Sequence, residues 1–199
     1  MSTRRKVMLG GAGLLALGGA GLAGRRAWLD REPDLPAATD ARGRLLWSNW
    51  AGTESAYPAA RAAPADEAEL AALLPRAAAP IRPVGAGHSF TALVPTDGTM
   101  LALDRMSGLV SADRANATAT VRAGTRLSAL GPALAAVGQE MPNLPDINKQ
   151  TLAGALATGT HGTGKDYTAL HGAVTAMRLV APDGGVRECS RDADAELFH

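Results

Sequence analysis

The chain has 199 residues, 46% of them hydrophobic and 20% charged, with a formal net charge of +1. This composition predicts a folded globular protein of one domain or two small ones, and its scattered basic residues argue against a nucleic-acid partner. Cys189 is the single cysteine, which excludes an intramolecular disulfide and a cysteine-based zinc site, and we expect no metal site.

The N-terminus carries a targeting pattern. Arg4 and Arg5 precede a Gly-rich apolar run over residues 7–23, which resembles a twin-arginine (Tat) export signal. The alternative is a transmembrane anchor, but about 17 apolar residues diluted by glycine are short for a bilayer span. We therefore predict a Tat-type signal over residues 1–26, recognised by the Tat export machinery. The protein would then be periplasmic or extracellular, and membrane-tethered if the signal is retained.

A charged, proline-containing linker is predicted over residues 27–44, followed by one domain over 45–199. Acidic residues in the first turn, with a proline just before it, predict a helix over 66–79. Short strands are predicted over 81–84 and 100–103.

The second half of the domain alternates hairpins with a helix. Strands over 109–112 and 117–123 form the first predicted hairpin. A helix is predicted over 127–137, closed by a glycine. Strands over 174–180 and 186–189 form the second hairpin, turned by Pro-Asp-Gly-Gly. Short strands mixed with a few helices indicate the α+β class.

The first candidate binding segment follows the strand at 81–84. Gly85 and Gly87 bracket one small residue, and His88 comes next. Such a loop lets backbone N–H groups converge on an anion, and a diphosphate would fit. The alternative is an ordinary tight turn. The pattern is not a Rossmann fingerprint, because no third glycine and no helix follow at the required spacing.

The second candidate segment, residues 148–164, is rich in glycine and hydroxyl side chains. Thr158, Thr160 and Thr163 can donate hydrogen bonds, and the glycines leave room for a large planar or anionic ligand. Such backbone freedom costs entropy on folding, which favours a binding role. The alternative is a surface loop with an ordinary core histidine at His161.

Together these segments resemble the flavin motifs of the vanillyl-alcohol-oxidase superfamily. Within it they are most similar to the aldonolactone oxidase group, which includes gulonolactone, galactonolactone and arabinonolactone oxidases and the bacterial alditol oxidases. Residues 83–89 resemble the diphosphate loop and residues 157–164 the second flavin motif. Residues 49–52 and 143–147 resemble the segments that open the domain and precede the second motif. The resemblance covers about residues 44–199.

The resemblance implies an α+β fold, a two-subdomain FAD-binding PCMH-type domain that is incomplete at its C-terminus. It implies that FAD is bonded covalently through His88; a histidine that lies near the flavin without a bond is the alternative. Asn148 would lie near the isoalloxazine ring. The residues expected to contact FAD are Pro83, Val84, Gly85, Ala86, Gly87, His88, Ser89, Asn148, Gly154, Thr158, Thr160, His161, Gly162 and Thr163.

The resemblance further implies an oxidoreductase that passes a hydride from a CH–OH group of a sugar lactone or alditol to the flavin. Oxygen or another electron acceptor would complete the cycle. The family's cap domain, which binds the substrate, is expected beyond these residues, so the catalytic residues stay unknown; His171 and His199 match no catalytic position. The alternatives are a non-catalytic exported flavin- or sugar-binding module, or another superfamily oxidase such as a phenol or polyprenyl-sugar oxidase.

Overall fold

The computed structural model describes Gly21, Arg25 and residues 36–198. Most of the predicted signal, residues 27–35 of the linker, and His199 therefore lie outside the described residues. Contacts divide the chain into two units, Met1–Pro36 and Ala37–His199, and the second contains every element below. Among the residues that are described, no helix is long and apolar enough to cross a membrane.

A small hairpin and a parallel sheet open the second unit. Trp47–Ser48 (β1) pairs antiparallel with Ser55–Ala56 (β2). A three-stranded parallel sheet follows, in which β5 (Thr99–Ala102) lies between β3 (Ala60–Ala62) and β4 (Ile81–Val84). The first three residues of β5 are buried, as expected for a central parallel strand covered on both faces.

The first helix, α1 (Glu67–Leu73), begins at Asp66, whose side chain accepts a hydrogen bond from a backbone N–H of the first turn. This is a standard N-cap. The sequence predicted a helix over 66–79, but a 3-10 turn, Leu74–Arg76, replaces the α-helix after residue 73. Pro75 lacks the N–H needed to continue the α-helical ladder, so the predicted C-terminal part of the helix was wrong.

The next element is the predicted first hairpin, which is confirmed. β6 (Leu109–Asp113) pairs antiparallel with β7 (Thr118–Val121). Ala117, expected inside the second strand, instead has φ +51°. This left-handed conformation is incompatible with a strand, so β7 starts one residue later.

Two helices follow the hairpin. α2 (Leu127–Ala136) confirms the helix predicted over 127–137, and Gly138 closes it with φ +72°. α3 (Leu152–Ala157) was not predicted; it begins at Thr151, whose hydroxyl accepts the Gly154 N–H at 3.3 Å. The hydroxyl residue before a Leu/Ala run was the sequence signal for this helix.

The hydrophobic core lies where these helices meet. Leu127, Leu130 and Leu134 share one face of α2, because they are three and seven residues apart. They pack with Ala155 of α3 and with Leu170. Each of the five is at most 4% exposed. The contact of Ala155 with this core therefore anchors α3.

The C-terminal part contains a 3-10 turn (Leu170–Ala173), two strands and a short helix, α4 (Ala195–Phe198). β8 (Ala176–Val180) and β9 (Val186–Ser190) form the predicted second hairpin. Gly184 in its turn has φ +82°. The α+β class is therefore confirmed, with parallel and antiparallel strands around short helices.

One arginine connects this hairpin to α1. Arg178 of β8 donates from Nε and Nη2 to the Glu67 carboxylate at 2.5 and 2.8 Å, and from Nη1 to Glu188 at 2.5 Å. These hydrogen bonds hold the pKa of Glu67 below its ordinary value, and the carboxylates raise the pKa of Arg178. The forked geometry suits a guanidinium and no lysine could reproduce it.

Candidate functional site

The loop of residues 85–89 leaves β4 in a conformation that requires glycine. Gly87 has φ +68°, a region that side chains other than glycine rarely adopt. A Cβ there would also lie 3.4 Å from Trp47 Cζ2 and 3.6 Å from Asn49 Cα. These are ordinary van der Waals distances, so the second glycine of the motif is needed for its backbone angle and not for lack of space.

The turn between β1 and β2 holds this loop. Asn49 is only 5% exposed, and its Nδ2 donates to the Ser89 carbonyl at 2.9 Å. Its Oδ1 accepts the Glu54 N–H at 3.1 Å. The Trp50 N–H donates to the Gly87 carbonyl at 2.8 Å. The buried amide of Asn49 strongly constrains the position of this loop. If the loop moved away, a buried donor of the amide would lose its partner, and an unpaired buried polar group is costly.

The two predicted cofactor segments meet at one point. A Cβ built on Gly85 would collide with Thr151 Oγ1. Thr151 is 4% exposed and caps α3. Gly85 is therefore glycine because the first loop lies directly against the N-terminus of the helix that begins the second motif.

The residues after α3 form a tight polar turn. Gly159 has φ +63°. Thr158 Oγ1 donates to the Gly154 carbonyl at 2.9 Å and lies 3.3 Å from Thr160 Oγ1. His161 Nδ1 lies 2.8 Å from the Gly162 carbonyl oxygen. A carbonyl only accepts, so Nδ1 is the donor of this hydrogen bond.

This turn borders a cavity. Its volume is about 380 Å³, and it is a shallow depression that is widely open to solvent. Of the predicted residues, Thr158, Thr160 and His161 line it. The full lining is Pro145, Asp146, Ile147, Gln150, Thr158, Gly159, Thr160 and His161.

One residue that lines the cavity carries a buried, unpaired polar atom. Gln150 lines it, and Gln150 Oε1 is buried with no hydrogen-bond partner among the described residues. Buried polar atoms are rarely left unpaired in native proteins, so this amide has capacity for one more hydrogen bond. The residues present therefore fit a large polar cofactor: small residues give room, and hydroxyl, imidazole and amide groups give partners.

Other predicted residues are placed less directly. Asn148 is exposed, and its carbonyl accepts the Ser128 N–H at 2.9 Å. Ser89 Oγ accepts the Thr91 N–H at 3.2 Å within its own loop. A Cβ on Gly162 would meet Asn143 Oδ1, so the segment at 143–147 packs against the second motif. Contact of these residues with a cofactor stays a prediction.

Three residues in or beside this site were missed by sequence reasoning. Thr151 joins the two segments, Gln150 supplies the unpaired acceptor, and Trp50 stacks on His88 with ring centroids 5.2 Å apart. The hydroxyl before a Leu/Ala run was a usable signal for Thr151. Gln150 lies in the segment 148–164 and Trp50 in the segment 49–52, but no local pattern indicates their roles, because their partners are distant in the sequence or absent from the chain.

Comparison with known proteins places this geometry in context. A family model described as "FAD binding domain" matches residues 58–190. These residues include the loop at 85–89, α3 and the polar turn after it. Chitooligosaccharide oxidase, a solved structure, superposes with a TM-score of 0.61 at 23% identity, covering 69% of this chain and 31% of that protein, which shows the fold.

Curated relatives share the same stretch of sequence. L-gulono-1,4-lactone dehydrogenase of Mycobacterium tuberculosis is 38% identical over 152 residues, 75% of this chain and 36% of that protein. L-gulonolactone oxidase of Mus musculus is 32% identical over 157 residues, which are 77% of this chain and 36% of that protein. Mitochondrial L-galactono-1,4-lactone dehydrogenase of Arabidopsis thaliana is 34% identical over 155 residues, which are 76% of this chain and 25% of that protein. The chain spans about a third of the length of these relatives or less.

Proposed function

The chain belongs to the family of FAD binding domains, and from that premise we propose that it is the FAD-binding part of a sugar-lactone or alditol oxidoreductase. The observation that carries the proposal is the contact of Gly85 with Thr151. It joins the two segments predicted to bind FAD into one surface. The sugar-lactone names of the relatives support the substrate class.

The cofactor is held by backbone and small polar groups. The backbone N–H groups of residues 85–87 would bind the diphosphate. Thr158, Thr160 and His161 line the cavity, and the Gln150 amide would be a further partner for the cofactor. Bound FAD would supply the hydride acceptor, while this chain would supply binding and orientation.

His88 is the proposed point of covalent attachment. It follows the Gly-x-Gly loop directly and is half-buried, so its ring is held close to whatever the loop binds. In this attachment a carbon–nitrogen bond between the His88 imidazole and the flavin 8α carbon would replace one N–H and one C–H bond. Molecular oxygen would be the oxidant, taking up the two hydrogens and two electrons as hydrogen peroxide.

Denaturation tests this attachment. The complete gene product, loaded with FAD and precipitated in acid, should stay yellow, because a carbon–nitrogen bond survives unfolding. The peptide containing His88 should carry the mass of FAD. His88→Ala should release all its flavin on precipitation. A colourless precipitate from flavin-loaded wild-type protein would refute the covalent bond and leave reversible FAD binding intact.

A substrate panel tests the activity. Sugar lactones and alditols, supplied to the same flavin-loaded protein, should bleach the oxidised flavin absorbance without oxygen. Peroxide formed in air would identify oxygen as the acceptor, and turnover only with an artificial acceptor would indicate a dehydrogenase. Flavin that no lactone, alditol, phenol or sugar reduces would favour a binding module.

A further inference from the structure

The His88 ring lies against another aromatic ring. Trp50 and His88 have centroids 5.2 Å apart and planes inclined by 20°, a face-to-face arrangement within the usual range for aromatic pairs. Trp50 is 65% exposed. Burial in the core therefore does not explain why this large ring lies where it does, whereas its stacking on the imidazole does give it a fixed neighbour.

The backbones that carry the two rings are fixed to each other. The Trp50 N–H donates to the Gly87 carbonyl at 2.8 Å, and Asn49 Nδ2 donates to the Ser89 carbonyl at 2.9 Å. These bonds bracket His88 on both sides. With the backbone held, the remaining freedom of His88 is rotation about its two side-chain torsions, and the stacked indole favours the orientation in which the two rings lie face to face.

We propose that Trp50 is a positioning residue for His88: its ring holds the imidazole in one orientation and so sets the rate of flavin attachment. This rests on the proposed covalent bond. An attacking atom must lie about 3–3.5 Å from its target and be aligned with it, so a small misplacement lowers the reaction rate strongly. A swinging imidazole spends less time aligned, although the reversible FAD site is unchanged.

The test separates binding from attachment. FAD-free complete gene product, prepared from riboflavin-starved cells, is mixed with increasing FAD. The Kd comes from flavin fluorescence, and the limiting rate at saturating FAD comes from acid-stable flavin sampled over time. Trp50→Leu keeps bulk and loses the ring face, whereas Trp50→Phe keeps a ring. Phe90→Leu is the matched control, because Phe90 is 66% exposed, as Trp50 is 65% exposed, and lies two residues after His88.

Trp50→Leu should lower the limiting attachment rate by roughly tenfold with the Kd within twofold, as expected for loss of one aromatic pair. The attachment rate of Trp50→Phe should be within about threefold of the wild-type rate, and the rate of Phe90→Leu should equal it. Equal rates for Trp50→Leu and wild type would overturn the proposal while leaving the covalent bond in place. The proposal would also be overturned if Trp50→Leu weakened FAD binding and slowed attachment together, and if Trp50→Phe restored neither the Kd nor the rate. Wild type with no acid-stable flavin would overturn both proposals.

Discussion

At the residue scale, glycine positions are explained by what a side chain would meet. A Cβ on Gly85 would collide with the hydroxyl that caps α3, whereas a Cβ on Gly131, inside α2, would meet nothing within 4 Å. A methyl group at residue 85 therefore meets an obstacle that is absent at residue 131. Gly131 is restricted in a different way, because the ring of the following Pro132 disfavours the α conformation of a residue that carries a Cβ.

We predict that Gly85→Ala lowers both FAD occupancy and the melting temperature, because the new methyl group displaces Thr151 from its cap. Loss of such a cap costs about 1 kcal/mol. Gly131→Ala is the control and should leave FAD occupancy unchanged, because its Cβ meets nothing within 4 Å. Thermal unfolding and flavin-to-protein absorbance ratios of the complete gene product measure both effects.

A double-mutant cycle decides whether the collision is the cause. In a Thr151→Ala background the colliding hydroxyl is absent, so Gly85→Ala should cost less than it does in wild type. Additive losses in the double variant would show that Gly85 is constrained by something other than Thr151.

At the element scale, α1 is tied to β8 through Glu67 and Arg178, residues 111 positions apart in the sequence. The hydrogen bonds from Arg178 hold the pKa of Glu67 below its ordinary value of 4.5. A carboxylate with a lowered folded pKa stabilises the fold at pH values above its unfolded pKa. That stabilisation disappears as the pH falls through the folded pKa.

Glu67→Gln should therefore lower the melting temperature at pH 7, and the difference from wild type should shrink below pH 4.5. Both partners are partly exposed, so high salt should also reduce the difference. Glu140→Gln, an exposed carboxylate for which residues 36–198 provide no ion pair, is the control. A pH-independent difference for Glu67→Gln would contradict the ion-pair explanation.

At the scale of the whole molecule, we propose export through the Tat pathway, on the basis of Arg4 and Arg5 before the apolar run. Both residues lie outside the described part of the structure. Replacing both with lysine keeps the charge and removes the twin-arginine motif, so the precursor should accumulate in the cytoplasm. Cell fractionation and immunoblotting measure this.

The control for export is the second arginine pair, Arg25 and Arg26, which follows the apolar run. Lysine at these two positions should leave export unchanged. Undiminished export of the variant at positions 4 and 5 would contradict the Tat assignment and favour a general secretion signal or a membrane anchor.

The sequence by itself determined most element types. Both hairpins and α2 were predicted because their signals are local: a left-handed turn glycine, a run of branched residues or a glycine that ends a helix acts within a few positions. The same locality explains why Gly87 could be expected to need glycine, and the structure gives it φ +68°. Pro75, which ends α1, is a local signal of the same kind.

Only the tertiary structure decided which residues face one another. Gly85 lies against Thr151, Asn49 bonds to Ser89 40 positions away, and Trp50 stacks on His88. The order β3–β5–β4 in the parallel sheet is equally non-local. Such contacts depend on how separate elements pack around a shared core, which no short window of sequence encodes. The chemistry-bearing residues were therefore visible in the sequence, whereas the residues that hold them in place became visible only in the fold.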